Sequence, residues 1–204
     1  MMSRTKIVLL ILGLLIVALL LLAAAAIMHN GLSSRAQPTR LEAMLARNVR
    51  HLAIPSDARK QNNPMPDTPD NLRDARRHFA DHCAVCHGNN GSGETMLGRG
   101  MYPKPPDLRA GETQNLSDGE IFWIIENGVR FTGMPAFGGT HGSDQDSWKL
   151  VRFIRHLPNL APDEQMEMER YNPKGPEDRQ EDQEEEDFLN GKPMQQKSGK
   201  EHHH

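Results

Sequence analysis

Cysteine and aromatic side chains are scarce in this chain of 204 residues, which holds two Cys, six Phe, two Trp and two Tyr. Two cysteines exclude a disulfide framework and a four-cysteine zinc site. Hydrophobic residues make up 37% of the chain, and 21 of them sit in one run, Ile7 to Met28, interrupted only by Gly13. That leaves roughly 30% for the other residues, well below the ~45–50% apolar content of an average globular chain counted with Gly. A large enzyme domain is therefore excluded. Alternation of period two is absent, so strands are not expected. A strongly basic segment is also absent. Formal charge is +2 over residues 1–28, +3 over 29–69, −1 over 70–160 and −7 over 161–204. Nucleic-acid binding is excluded on that balance.

What is present divides the chain into four parts. Residues 1–28 begin with Arg4 and Lys6 and continue as the apolar run from Ile7 to Met28. As a helix the run rises about 33 Å, enough for a hydrocarbon core of ~30 Å. It reads as a transmembrane anchor through residues 7–28. A cleaved secretory signal is the alternative, with Ala23 to Ala26 as the small residues a peptidase needs, although signal cores are usually shorter. Charge does not orient the span, because Arg35 and Arg40 balance Arg4 and Lys6.

Residues 29–69 read as a polar linker with one short helix. Thr39 and Glu42 have capping-box spacing, and Leu41, Met44, Leu45, Val49 and Leu52 recur every three or four residues, which predicts a helix from Arg40 to Ala53. It is read as a spacer docked on the following domain. Its alternative is a basic arm, through Arg40, Arg47 and Arg50, against anionic lipid or an acidic partner. Asn62 to Pro69, with three prolines, reads as a hinge.

Residues 70–160 read as the compact domain. Helices are expected over Asp70–His82, after the Ser117/Glu120 capping box up to Asn127-Gly128, and over Asp144–His156 ending before Pro158. Asn89 to Pro106, rich in Gly and Pro, reads as a wrapping loop. Residues 161–204 read as a short helix carrying Met166 and Met168, then an acidic tail. Eight acids against one Arg between Glu177 and Asp187 predict solvated disorder. His202 to His204 read as a tag or as a weak metal-binding end.

One motif carries chemistry. Cys83-Ala84-Val85-Cys86-His87 fits C-x-x-C-H, the haem c attachment pattern. Two thiols one helical turn apart can add to the two vinyl groups on one edge of a porphyrin, and the adjacent imidazole is then pinned beneath the iron. A thioredoxin-like dithiol would need surrounding β-α-β periodicity, which is missing. For the sixth iron ligand the downstream candidates are Met96, Met101, Met134 and His141. Met134 is favoured: Gly133 lets the backbone approach the ring, Pro135 stiffens the loop, and the last helix follows. His78 and His82, four apart on the first helix, could clasp a metal but read as helix-surface histidines.

From these residues the segment Asp70–Leu160 resembles a class I, mono-haem c-type cytochrome of the membrane-anchored bacterial kind. The resemblance rests on Ala75, Phe79 and Cys83 in one frame, the Cys83–His87 motif, the Gly133-Met134-Pro135 loop and Trp148-Lys-Leu-Val-Arg-Phe153-Ile154. It implies an all-α fold of three to four helices around one covalent haem c, with the first and last helices crossing so that Ala75 and Phe79 meet Val151, Phe153 and Ile154. It further implies His87 and Met134 as metal ligands and a proline carbonyl, from Pro105 or Pro106, that orients His87. Arg99, Tyr102 and Trp123 are its candidate partners for the haem propionates.

The function implied is a one-electron carrier without substrate chemistry, since His/Met ligation leaves no open iron position. Its partners would be a redox protein donor and acceptor (an oxidase, a reductase or a dehydrogenase), with no nucleic acid and no small-molecule substrate. A haem peroxidase or gas sensor is the alternative if Met134 is unbound or labile. The family places haem c outside the bacterial inner membrane, which implies a single-pass protein with a periplasmic haem domain. A fixed subunit of a larger respiratory complex shares the same chemistry.

Overall fold

A computed structural model describes residues 3–30, 33–139, 144–175 and 189. His141, the acidic segment from Glu177 to Asp187, and His202 to His204 lie outside the described residues. Among the described residues there is no strand, and every regular element is a helix. The elements are α1 (Arg4–Asn30), α2 (Arg40–Ala53), α3 (Ser56–Arg59), α4 (Pro69–His78), α5 (Ala84–His87) and α6 (Met96–Arg99), then α7 (Gly111–Gln114), α8 (Asp118–Asn127), α9 (Asp144–His156) and α10 (Pro162–Glu169).

The local signals act as their chemistry dictates. Thr39 caps α2, its side chain accepting from the Glu42 N–H, while the Glu42 carboxylate accepts from the Thr39 N–H. Ser117 and Glu120 repeat that exchange ahead of α8. Gly128, at φ 63°, ends α8. The first helix of the compact domain differs from expectation in one respect. It does not run as a uniform α-helix to His82, because Phe79–Cys83 form a π-helical turn between α4 and α5. The wider turn inserts about one extra residue and rotates whatever follows, a device common at functional sites.

The core lies where α4 and the π turn meet α8 and α9. Ala75, Phe79, Val151, Phe153 and Ile154 are all buried in one cluster, with the Phe79 and Phe153 rings 5.1 Å apart and inclined at 57°. The Phe122 and Trp148 rings stack at 4.0 Å and join α8 to α9. Arg155 reaches from α9 to Asp118 Oδ1 at 2.9 Å and to the Gln114 carbonyl at 2.7 Å, which satisfies the exposed end of α7 and fixes the start of α8.

Packing extends beyond residues 70–160 at both ends. Ile54 is 1% exposed and Met168 is wholly buried. The segment expected as a hinge is tied to α9: Asn63 donates to the Trp148 carbonyl at 2.8 Å and Arg152 donates to that of Met65 at 2.8 Å. Upstream, α3 lies so close to α8 that a Cβ on Gly119 would stand 1.9 Å from the Ala58 carbonyl oxygen. Gly119→Ala is therefore expected to cost about 2 kcal/mol or more, because backbone cannot yield as a side-chain end can. Denaturant unfolding of the holoprotein checks this; an unchanged midpoint would disprove the close seating of α3.

At the other end, Arg76 bonds Glu164 at 2.6 Å and also bonds Glu167, while His156 meets Glu164 at 2.7 Å. Burial works against the Glu164 carboxylate and is the largest single influence on it. The His156 hydrogen bond, the Ala161 N–H and the charges of His156 and Arg76 together outweigh burial and hold its pKa below the ordinary 4.5. The folded pKa is thus depressed. The stabilisation is present above the unfolded value and is lost as pH falls through the folded one. Unfolding free energy should drop below about pH 4.5, and Glu164→Gln should flatten that part of the profile.

Candidate haem site

The π turn delivers Cys83 to the N-terminus of α5, which carries Cys86 and His87 on its single turn. Both cysteines are unbridged and partly exposed. Burial, and then neighbouring Cys86, push the Cys83 thiol up to about 12. Burial also raises the Cys86 pKa. Burial thus disfavours the thiolate that a redox dithiol needs.

His87 is buried at 9% exposure, and its Nδ1 closes no regular hydrogen bond. Burial lowers its pKa and favours the neutral imidazole, the form that ligates a metal. The Pro106 carbonyl faces the ring and opposes part of that shift. How Pro106 arrives there follows from glycine. The Gly93 N–H donates to the His87 carbonyl at 2.8 Å, and Gly93, at φ 76°, lies against Pro105, where a Cβ would stand 2.5 Å from the carbonyl oxygen. The Leu108 N–H donates to the Gly91 carbonyl at 2.8 Å and closes the loop behind the two prolines. The carbonyls of Pro105 and Pro106 both lie against Gly93, and that of Pro106 also faces His87.

Met134 sits on a loop pinned from both sides. Its N–H donates to Thr132 Oγ1 at 3.1 Å and its carbonyl accepts from the Val129 N–H at 3.1 Å. The Phe137 and Gly138 N–H groups donate to the Ile125 and Glu126 carbonyls at 3.0 Å each, so the loop is stitched to the end of α8. Gly128 makes the approach possible, since a Cβ there would meet the Pro135 carbonyl carbon at 2.6 Å. The Met101 sulfur lies beside Gly133, 3.0 Å from where a Cβ would be. Met101, itself a candidate sixth ligand, thus touches the Met134 loop, a contact with no periodic signature in the sequence. Met96 is 87% exposed.

The other candidates are dispersed. Arg99 donates to the Glu94 carbonyl at 3.0 Å, and the Tyr102 hydroxyl donates to Glu42 of α2 at 2.6 Å. Trp123 is half-buried on α8, its carbonyl accepting from Asn127. His78 and His82 approach edge to face at 4.8 Å, and His82 lies 6.5 Å from the Phe137 ring. Among the described residues, no group of three or more His, Cys, Asp or Glu is gathered as a metal site.

Two thiols on one helical turn with a buried neutral imidazole beside them fit a porphyrin attached by thioethers. Residues 70–154 match the family model described as cytochrome C oxidase, cbb3-type, subunit III. The domain is a c-type cytochrome. It carries one covalent haem c, on the class I all-α fold. No curated protein matches the chain. A cytochrome domain of this family works by haem-based electron transfer with redox partners. Upstream of it, α1 is long and apolar enough over Arg4–Ala26 to cross a membrane.

Proposed function

We propose that the protein is a membrane-anchored one-electron carrier whose haem is ligated by His87 and Met134. Cys83 and Cys86 would hold the porphyrin covalently, and the bound haem would supply a one-electron site, reduced by the donor protein and re-oxidised by the acceptor. Every other task falls to the chain. His87 is kept neutral by burial and turned by the Pro106 carbonyl, while Met134 is fixed by Thr132 and Val129 on a loop that Gly128 lets approach. The observation that carries the reading is the pairing of buried His87 with a stitched Met134 loop in one cytochrome domain.

A filled sixth position leaves oxygen and peroxide no site, so the protein transfers electrons without substrate chemistry. A peroxidase or gas sensor would need Met134 absent or labile, and its two backbone bonds argue against that. We place α1 in the bacterial inner membrane as a retained anchor, with the haem domain on the periplasmic side. Donor and acceptor are redox proteins of the respiratory or dehydrogenase kind. The matched family description makes an oxidase a natural acceptor, with the protein as free carrier or fixed subunit. The reduced, purified full-length protein should keep its absorption spectrum under carbon monoxide. Rapid spectral change would overturn the carrier reading.

A further inference from the structure

Helix α2 docks on the domain with the face opposite to the one its sequence suggests. Contacts to the domain come from polar side chains: Arg47 to Glu112 at 3.0 Å, His51 to Glu120 at 3.0 Å, and Glu42 to Tyr102 at 2.6 Å. Leu41, Met44, Leu45, Val49 and Leu52 remain 46–78% exposed. At 3.6 residues per turn these five fall within an arc of about 140°, broken only by Asn48. Ala43 and Arg50, the half-buried positions, and Ile54, buried beyond the last turn, lie on the other side. A helix of 14 residues thus turns its whole apolar stripe away from the protein it is bonded to.

We propose that this stripe lies in the interface of the membrane that α1 crosses, so that α2 seats the haem domain on the lipid surface. The proposal rests on the reading of α1 as a retained anchor. Chain length favours lipid over a distant protein. α1 ends at Asn30 and α2 begins at Arg40. Ten peptide steps, even fully extended, keep the start of α2 within about 35 Å of the end of α1. Charge agrees, because Arg35 on the connecting segment and Arg40 at the start of α2 are exposed, and no acid occurs before Glu42. Interfacial helices combine such an apolar face with basic residues that meet anionic headgroups. Arg47 has no part in this, being engaged with Glu112. The seated domain would pivot about α2 and lose the free swing that a tether of some 40 residues would otherwise allow.

The test is photo-crosslinking of the full-length holoprotein in vesicles of phosphatidylcholine with a minor share of phosphatidylglycerol. Leu45→p-benzoylphenylalanine should give lipid adducts about tenfold above those from the same probe at Ala43, which faces the domain. Adding Leu41→Glu and Leu52→Glu to the Leu45 probe should lower its adducts by about the same factor, with the haem spectrum unchanged. Adducts from Leu45 to protein, or none, overturn the proposal. The same probe at Leu15 decides separately whether α1 is in the bilayer. Lipid adducts at Leu15 without any at Leu45 sink the seated domain and leave the anchor standing.

Discussion

With Met134 as the proposed sixth ligand, Met134→Ala is expected to open the haem to carbon monoxide, with a large fall in reduction potential. The thioether favours ferrous iron, so its loss lowers the potential. Axial ligation moves haem potentials over about 0.8 V in total, and removal of one axial ligand should claim a substantial part of that range. The fold should survive. Met134 is only half-buried, and the hydrogen bonds that hold its loop run through its backbone N–H and carbonyl, which alanine keeps. Titrating the variant against redox mediators and recording its spectrum with and without carbon monoxide checks both effects. A wild-type potential with no carbon monoxide binding would show that another side chain fills the position. Met101, whose sulfur lies beside Gly133, would be the first to examine.

The same residues show how far the sequence carries. Helix termini were legible because their signals are local: Thr39 with Glu42 and Ser117 with Glu120 cap the helices they announce. The crossing of Ala75 and Phe79 with Val151, Phe153 and Ile154 followed from family resemblance, and their shared burial agrees. The π turn at Phe79–Cys83 was not legible, since one additional residue in a helix leaves hydrophobic spacing nearly unchanged over five residues. Ile54 and Met168 were missed as core for a related reason. Met168 stands between two glutamates and Ile54 just past the end of a helix, and burial there depends on tertiary partners that no period encodes. For α2 the period correctly marked an apolar stripe and its helix, but docking was decided by ion pairs and hydrogen bonds from the other face. The choice between Pro105 and Pro106 has no local signal, because the carbonyls of both prolines lie against the one glycine, Gly93.

Cys83→Ala combined with Cys86→Ala should yield a colourless protein that is molten over the domain, retaining much helix and losing fixed side-chain packing. The reason lies in how unevenly the core is built. Buried apolar residues come from α4, the π turn, α5, α8, α9, the turn at Leu157 and α10, whereas the long stretch between His87 and Leu116 adds only Leu108 to that set. That stretch is held by backbone contacts of Gly91, Gly93 and Gly98 and by the hydrogen bonds around them, each worth about 1 kcal/mol net. It also carries Pro105, Pro106 and Met101, the groups that surround His87 and the Met134 loop. A large apolar macrocycle bonded to this face supplies the surface the loop packs against. A domain of this size has about 5–15 kcal/mol of total stability, so losing both that burial and its covalent attachment should remove most of it. Far-UV circular dichroism should stay largely helical through α4 and α9, while near-UV signal and dispersion of side-chain resonances collapse. A haem-free variant with a dispersed, native-like spectrum would show that the helices alone hold the loop, and the ligand geometry would then be preformed before any porphyrin is attached.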